Sequence, residues 1–181
     1  MSKALRAELK APVLGLDSYY RELAHLPLEE RARMNFDEPA ALDQDLLIAQ
    51  IRCLGEGRAI EKPVYDFSRH TRSGEVERIE PAGYAIFEGL FALYWAELRE
   101  TYGTSVFIDV DDAICYQRRL ERDVRERART PESVYVQYNT MVRPMAERYI
   151  LPTREWADIV VSGVAPLERT AAAVLAMARK K

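Results

Sequence analysis

Four short apolar runs constrain this chain more than any other feature: residues 12–16, 84–87, 105–108 and 157–161. Each is strand-sized, and stretches with helical spacing separate them. Short strands of this kind, alternating with helices, build a mostly parallel sheet covered by helices on its faces. The expected architecture is therefore an α/β sandwich. Three of the runs stop at a carboxylate: Asp17, Glu88 and Asp109. Open α/β sheets carry their sites just beyond the carboxyl ends of their strands. Asp17 and Glu88 meet at adjacent turns if their strands are neighbours, and two such acids can hold a divalent metal or supply a base. The plainer reading is that acids start loops and cap helices. It suits Asp109 best, whose followers Asp111 and Asp112 read as helix-start acids.

The connecting segments follow the same logic. Residues 2–10 read as the end of an amphipathic helix, with Leu5 and Leu9 four apart. A short charged helix is expected over 26–34, with Pro27 in its first turn, followed by turn chemistry at 35–39. Residues 43–54 carry a helical period that Gly55 and Gly57 end. Residues 62–79 read as a β-hairpin reversing around Ser73 and Gly74, and its arms carry Tyr65, His70 and Arg72. A phenol, an imidazole and a guanidinium over a cleft can grip a base or sugar hydroxyls; cross-strand stabilisation of an exposed hairpin is the alternative. Helices are also expected over 91–101, 111–127, 131–149 (bent at Pro144) and 166–181.

One helix stands out. In residues 118–129, six of twelve positions are arginine. Helical spacing places Arg118, Arg122, Arg125 and Arg129 on one side. A row of planar forks suits a polyanion such as a nucleotide phosphate. The same stretch contains Glu121 with Arg125 and Asp123 with Arg127, acid-to-base pairs four apart that ordinary solvated helices use.

Composition narrows the partners. The 181 residues suit one domain with a sizeable core. Net charge is −3, from 26 basic and 29 acidic side chains, which argues against bulk nucleic acid as a partner. Cys53 and Cys115 are isolated, as in a reducing cytosol, so a cytoplasmic protein is expected. With His25 and His70 the only histidines, a structural zinc site is not expected. No run has the length of a signal peptide core or a membrane span, so no membrane partner is expected.

Taken together, the motifs are specific. DSYY, NFDEPAALD, PVYDFSRHTR, FEGLFAL, FIDVD, RRLERDVRERAR, QYNTMVRP and ADIVV occur in this order along the chain. In content, order and spacing they resemble the phosphoribulokinase/uridine kinase family of P-loop kinases, and within it the uridine–cytidine kinases. The resemblance implies a P-loop-kinase-like three-layer sandwich with a mostly parallel sheet and a β-hairpin over the substrate site, as one domain over residues 1–181. It implies a pyrimidine-salvage kinase that phosphorylates uridine or cytidine at the 5′-hydroxyl, with ATP as donor and Mg2+. Asp17 then matches the base and, with Glu88, the magnesium-site acids. Tyr20, Phe36, Asp37, Tyr65, His70, Arg119, Arg129 and Gln137 match the nucleoside site, with Phe36 and the hairpin around the base and Asp37 on the ribose hydroxyls. Arg122 and Arg127 match the lid over the ATP phosphates, whereas Arg118 and Arg125 keep a structural reading. A homo-oligomer is compatible with the resemblance. The alternative is a catalytically inactive nucleoside-binding or regulatory paralogue.

Two departures stand against the family pattern. None of the eight glycines is followed by lysine, so the phosphate-cradling G-x-x-x-x-G-K-[ST] run is not among these residues. The resemblance implies that the chain starts just downstream of that loop, with first strand and P-loop absent, and that the lost strand belonged between runs 12–16 and 84–87. These residues alone are then expected to be nearly inactive. The second departure is Ala128, where glycine is frequent; alanine there is expected to stiffen the end of the lid by roughly 1 kcal/mol of helix propensity.

Overall fold

The computed structural model describes residues 1–127 and 129–180. The expectation for Ala128 lies outside the described residues, as does the last residue of the closing helix.

The chain opens with α1 (Ser2–Leu9) and β1 (Val13–Gly15). After a short α2 (Leu28–Arg31) comes α3 (Gln44–Gly55), whose N-cap Asp43 accepts a hydrogen bond from the Leu46 amide at 3.3 Å. Leu47, Ile51 and Leu54, spaced four and three apart, form its buried stripe. The hairpin β2 (Ile60–Asp66) and β3 (Thr71–Ile79) follows, then β4 (Ile86–Glu88), α4 (Ala96–Arg99) and β5 (Val106–Asp109). The arginine helix is α5 (Asp112–Arg127). A long helical path holds α6 (Pro131–Gln137) and α7 (Arg143–Met145), and the chain closes with β6 (Ile159–Ser162) and α8 (Leu167–Ala178).

All four apolar runs become strands, and they pair in parallel. β1 pairs with β4, Val13 opposite Ile86 through Gly15 opposite Glu88. β5 pairs with β6, Val106 opposite Ile159 through Asp109 opposite Ser162. Helices cover both faces. On one side, Leu5 of α1 and Ala171 and Val174 of α8 pack with Val161, Ile86 and Val106. On the other, Leu47 and Ile51 of α3 pack with Leu16, Tyr19, Phe91, Trp95 and Leu98. Burying a side chain of this size contributes about 1.5–3 kcal/mol, so these two interfaces hold the layers together.

Three expectations change. The runs 12–16 and 84–87 are direct hydrogen-bonded partners, so no strand belongs between them. Instead, among the described residues, β4 and β5 each have a second edge that no further strand joins.

The hairpin reverses at residues 67–70, not at Ser73 and Gly74. Asp66 opposes Thr71, and the Asp66 Oδ1 accepts from the Ser68 and Arg69 amides at 2.9 and 3.2 Å, which folds the turn. Gly74, at φ 86°, serves a bulge inside β3, where the register shifts between Pro63 and Tyr65.

The helix expected over 91–101 shortens to one turn at Ala96–Arg99. Around Pro144 the path over 131–149 is not a uniform α-helix. The hydrogen bonding loosens instead, into π-helical turns at Tyr138–Val142 and Ala146–Ile150 on either side of it, as expected where proline removes a donor. Among the described residues, no helix is long and apolar enough to cross a membrane.

Candidate active site

The carboxyl ends of β1 and β4 place two acids side by side. Gly15 pairs with Glu88, and Asp17 follows in a tight turn over Leu16–Tyr19. The approach is close: a Cβ on Gly89 would stand 2.7 Å from the Leu16 Cβ, so only glycine fits at that corner. Asp17 is exposed at the mouth of this corner, with protein packed around its carboxyl. Burial raises its pKa above the ordinary aspartate value, Glu88 raises it further, Arg127 opposes, and Asp37 and Arg122 exert smaller effects in opposite senses.

Beside these acids is an aromatic box. Tyr20 packs edge-on to Phe36 at 5.1 Å and tilted to Tyr65 at 5.3 Å, and Phe36 stacks on His70 at 5.6 Å. Tyr20 donates to the Phe36 carbonyl at 3.1 Å, which fixes the Phe36 loop against β1's turn. His70 sits at φ 50°, a conformation rare without glycine, held at the end of the hairpin turn. Burial, Arg127 and Arg31 lower its pKa, so the imidazole is neutral at pH 7. The Tyr65 hydroxyl is buried without a hydrogen-bond partner, and burial pushes its pKa up to about 12. A buried orphan hydroxyl costs about 1–3 kcal/mol, which a ligand group can offset.

Asp37 closes the box toward α5. It is buried, and burial raises its pKa while Arg119, the largest opposing influence, lowers it. Arg119 Nη1 lies 3.9 Å from Asp37 Oδ1, and Arg119 Nη2 donates to Gln137 Oε1 at 3.4 Å. Arg129 donates to the same Gln137 oxygen. Arg122 and Arg127 stand about half-exposed on α5, and both influence the Asp17 carboxyl. Ring contacts, hydrogen bonds and electrostatic influences thus link the sequence-derived residues Asp17, Tyr20, Phe36, Asp37, Tyr65, His70, Glu88, Arg119, Arg122, Arg127, Arg129 and Gln137 into one cluster.

Four other residues singled out in the sequence do not join this cluster. Arg72 donates to the Tyr20 and Tyr19 carbonyls at 3.0 and 3.4 Å and pairs with Asp43 at 3.0 Å, so it ties the hairpin to α3. Asp109 faces Arg154 at 3.4 Å. Arg118 donates to the Gly163 carbonyl at 3.1 Å, and Arg125 pairs with Glu126, in keeping with their structural reading.

Asp123 was hidden in the sequence. It reads there as half of a solvated pair with Arg127, but it is fully buried and collects Arg119, Arg122 and Arg127. The available signal was three arginines at i−4, i−1 and i+4 around a single acid.

For a divalent cation the cleft offers two carboxylates, Asp17 and Glu88, and among the described residues no group of three acid, histidine or cysteine side chains. Magnesium is commonly held by one or two carboxylates together with substrate phosphates and water, so this donor set suits it. The Glu88 charge disfavours ionisation of Asp17, and a cation between the two would remove that conflict.

The comparisons agree with this geometry. Residues 7–170 match the family described as Phosphoribulokinase / Uridine kinase. A uridine kinase from Ligilactobacillus salivarius is 44% identical over 149 residues, covering 82% of this chain and 70% of that protein. A uridine kinase from Halalkalibacterium halodurans is 48% identical over 145 residues, covering 80% and 69%. The fold of phosphoribulokinase from Rhodobacter spheroides superposes with a TM-score of 0.62 at 13% identity, over 87% of this chain and 61% of that one. The α/β layers with an arginine-lined cleft at the strand ends are those of a P-loop kinase. More particularly, the chain belongs to the phosphoribulokinase/uridine kinase family.

Proposed function

We propose that the cleft binds a pyrimidine nucleoside, uridine or cytidine, and directs phosphoryl transfer from ATP to its 5′-hydroxyl. The observation that carries this reading is the orphan Tyr65 hydroxyl inside the aromatic box. A flat ring with polar edges satisfies both the apolar walls and the unpaired donor. The kinases among its relatives favour this over a non-catalytic paralogue.

In this reading Asp37 accepts hydrogen bonds from the ribose hydroxyls, and Arg119, Arg129 and Gln137 hold that end of the cleft. Asp17 accepts the 5′-hydroxyl proton as the oxygen bonds to the γ-phosphorus and the bond to the departing ADP breaks. Its raised pKa makes it a stronger base than an ordinary aspartate. Arg122 and Arg127 neutralise charge spreading over the transferring group, where positioning and electrostatics dominate the barrier. Asp17 and Glu88 would hold Mg2+, which supplies charge neutralisation on the phosphate oxygens when bound.

These 181 residues include no G-x-x-x-x-G-K-[ST] run, so binding is the sharper test. Calorimetric titration should show uridine and cytidine binding at one site per chain, with ribulose 5-phosphate not competing. Absence of any heat with either nucleoside would remove the reading. With ATP and Mg2+, turnover by these residues alone is expected well below the roughly 1–100 s⁻¹ usual for kinases.

A further inference from the structure

Asp123 is the only charged side chain on α5 that is fully buried among the described residues, and nothing in the proposed chemistry uses it. Its two carboxylate oxygens face different parts of the site. Oδ1 accepts from Arg122, with Nε at 2.8 Å and Nη2 at 2.7 Å, and lies 3.7 Å from Arg127 Nη1. Oδ2 faces Arg119 Nε at 3.5 Å, an ion pair without a hydrogen bond. The Asp123 carbonyl also accepts from the Arg129 amide at 3.2 Å, which holds the chain as α5 ends.

The division matters because the partners differ in exposure: Arg119 is largely covered, whereas Arg122 and Arg127 are about half-exposed. Arg119 reaches toward Asp37 and Gln137, beside the aromatic box. Arg122 and Arg127 act on both Asp17 and Asp37, and their half-exposed guanidinium groups can turn to a ligand. One buried carboxylate cannot satisfy three guanidinium groups equally. Arg122 takes the short position, with one hydrogen bond from Nε and an ion-pair contact from Nη2, and Arg119 is left at a longer distance with an unsatisfied Nε. A buried charge of this kind strongly resists losing a partner, so a change at one oxygen is felt at the other.

We propose that Asp123 is a positioning residue that couples the nucleoside end of the cleft to its phosphate end. When Arg122 turns to a phosphate, Asp123 is freed to draw on Arg119, and the Arg119 contacts with Asp37 and Gln137 reset. Occupancy of one end therefore alters affinity at the other. This coupling rests on the nucleoside reading above.

The test is a double-mutant cycle on uridine affinity, measured calorimetrically with the full chain and no nucleotide: wild type, Arg122→Gln, Asp123→Asn and the double variant. Arg122→Gln frees Oδ1 and should weaken uridine binding roughly threefold or more, within the usual coupling between contacting groups. In the Asp123→Asn background the same substitution should change affinity by less than about half that factor. If Asp123→Asn melts too low to titrate, Asp123→Glu, which retains the charge but displaces it, is the second background with the same expectation. A purely structural Asp123 would lower the melting temperature while leaving the Arg122→Gln effect equal in both backgrounds, and that additivity would overturn the proposal. An unchanged affinity in Arg122→Gln alone would overturn it as well. A wild-type chain that binds no uridine would instead defeat the nucleoside reading on which it rests.

Discussion

Glu88 stands opposite Gly15 in the β1–β4 pairing, and its charge adds to burial in raising the proton affinity of Asp17. A carboxyl whose folded pKa is raised stabilises the fold only while it is protonated. That contribution is complete below the ordinary value of 3.8 and is lost as pH rises through the raised value. Wherever Asp17 is ionised, its charge is therefore a cost to the fold. Asp17→Asn should raise the melting temperature at pH 7, and the gain should shrink as pH is lowered toward 3.8. Thermal melts across that range check the sign, and a lower melting temperature at pH 7 would contradict it. In an active form containing the phosphate loop, the same variant should cut turnover far more than it weakens uridine binding. Equal losses would remove Asp17 from the role of base.

The Tyr65 hydroxyl gives a second case in which stability and function separate. It is buried and unpaired in the free protein. Tyr65→Phe removes the orphan group at almost constant shape, so the fold should gain up to about 1 kcal/mol. Pyrimidine nucleoside binding should weaken about five- to fifteenfold, the equivalent of one lost hydrogen bond at about 1–1.5 kcal/mol. Melting and titration of one preparation measure both. Tighter uridine binding in Tyr65→Phe would place the hydroxyl away from the base.

Arg72 should behave in the opposite way. It donates to two backbone carbonyls and pairs with Asp43, which also caps α3. Arg72→Met retains the stem but leaves those acceptors and the partly buried Asp43 without their donor. The expected loss is about 2–3 kcal/mol by chemical denaturation. Uridine affinity in the fraction that remains folded should change less than threefold. A large affinity loss with unchanged stability would return Arg72 to the cleft.

How much of this was legible beforehand depends on what each signal measures. The four apolar runs became strands because a short, continuously apolar run of this length pairs into a sheet between helices, and no loop reads that way. Their order across the sheet was less legible: the direct pairing of β1 with β4 is a long-range choice that no local pattern encodes. Ser73 and Gly74 look like a reversal, but a glycine at positive φ serves a bulge as well as a turn, and Asp66 had already folded the turn. Helical spacing grouped Arg118 and Arg125 with residues of the cleft, because a period specifies a face and not what lies opposite it. Asp123 was missed for the same reason: an acid four residues before an arginine has the same pattern whether the pair is solvated or buried.

The corner that holds the two acids together can be tested at Gly89. Its φ is 154°, and a Cβ there would meet the Leu16 Cβ at 2.7 Å. Leu16 is itself buried against Tyr19 and Phe91, so it has little room to retreat. Gly89→Ala must therefore shift backbone, and overpacking of this kind costs about 1–3 kcal/mol. The shift falls between Glu88 and the turn that carries Asp17, so it should separate the two carboxyls. The pH-dependent gain of Asp17→Asn should then be smaller in the Gly89→Ala background, because Glu88 no longer adds its full effect to burial. Melting curves of the two single variants and the double variant decide the matter. Equal gains in both backgrounds would show that the Glu88 contribution does not depend on this corner.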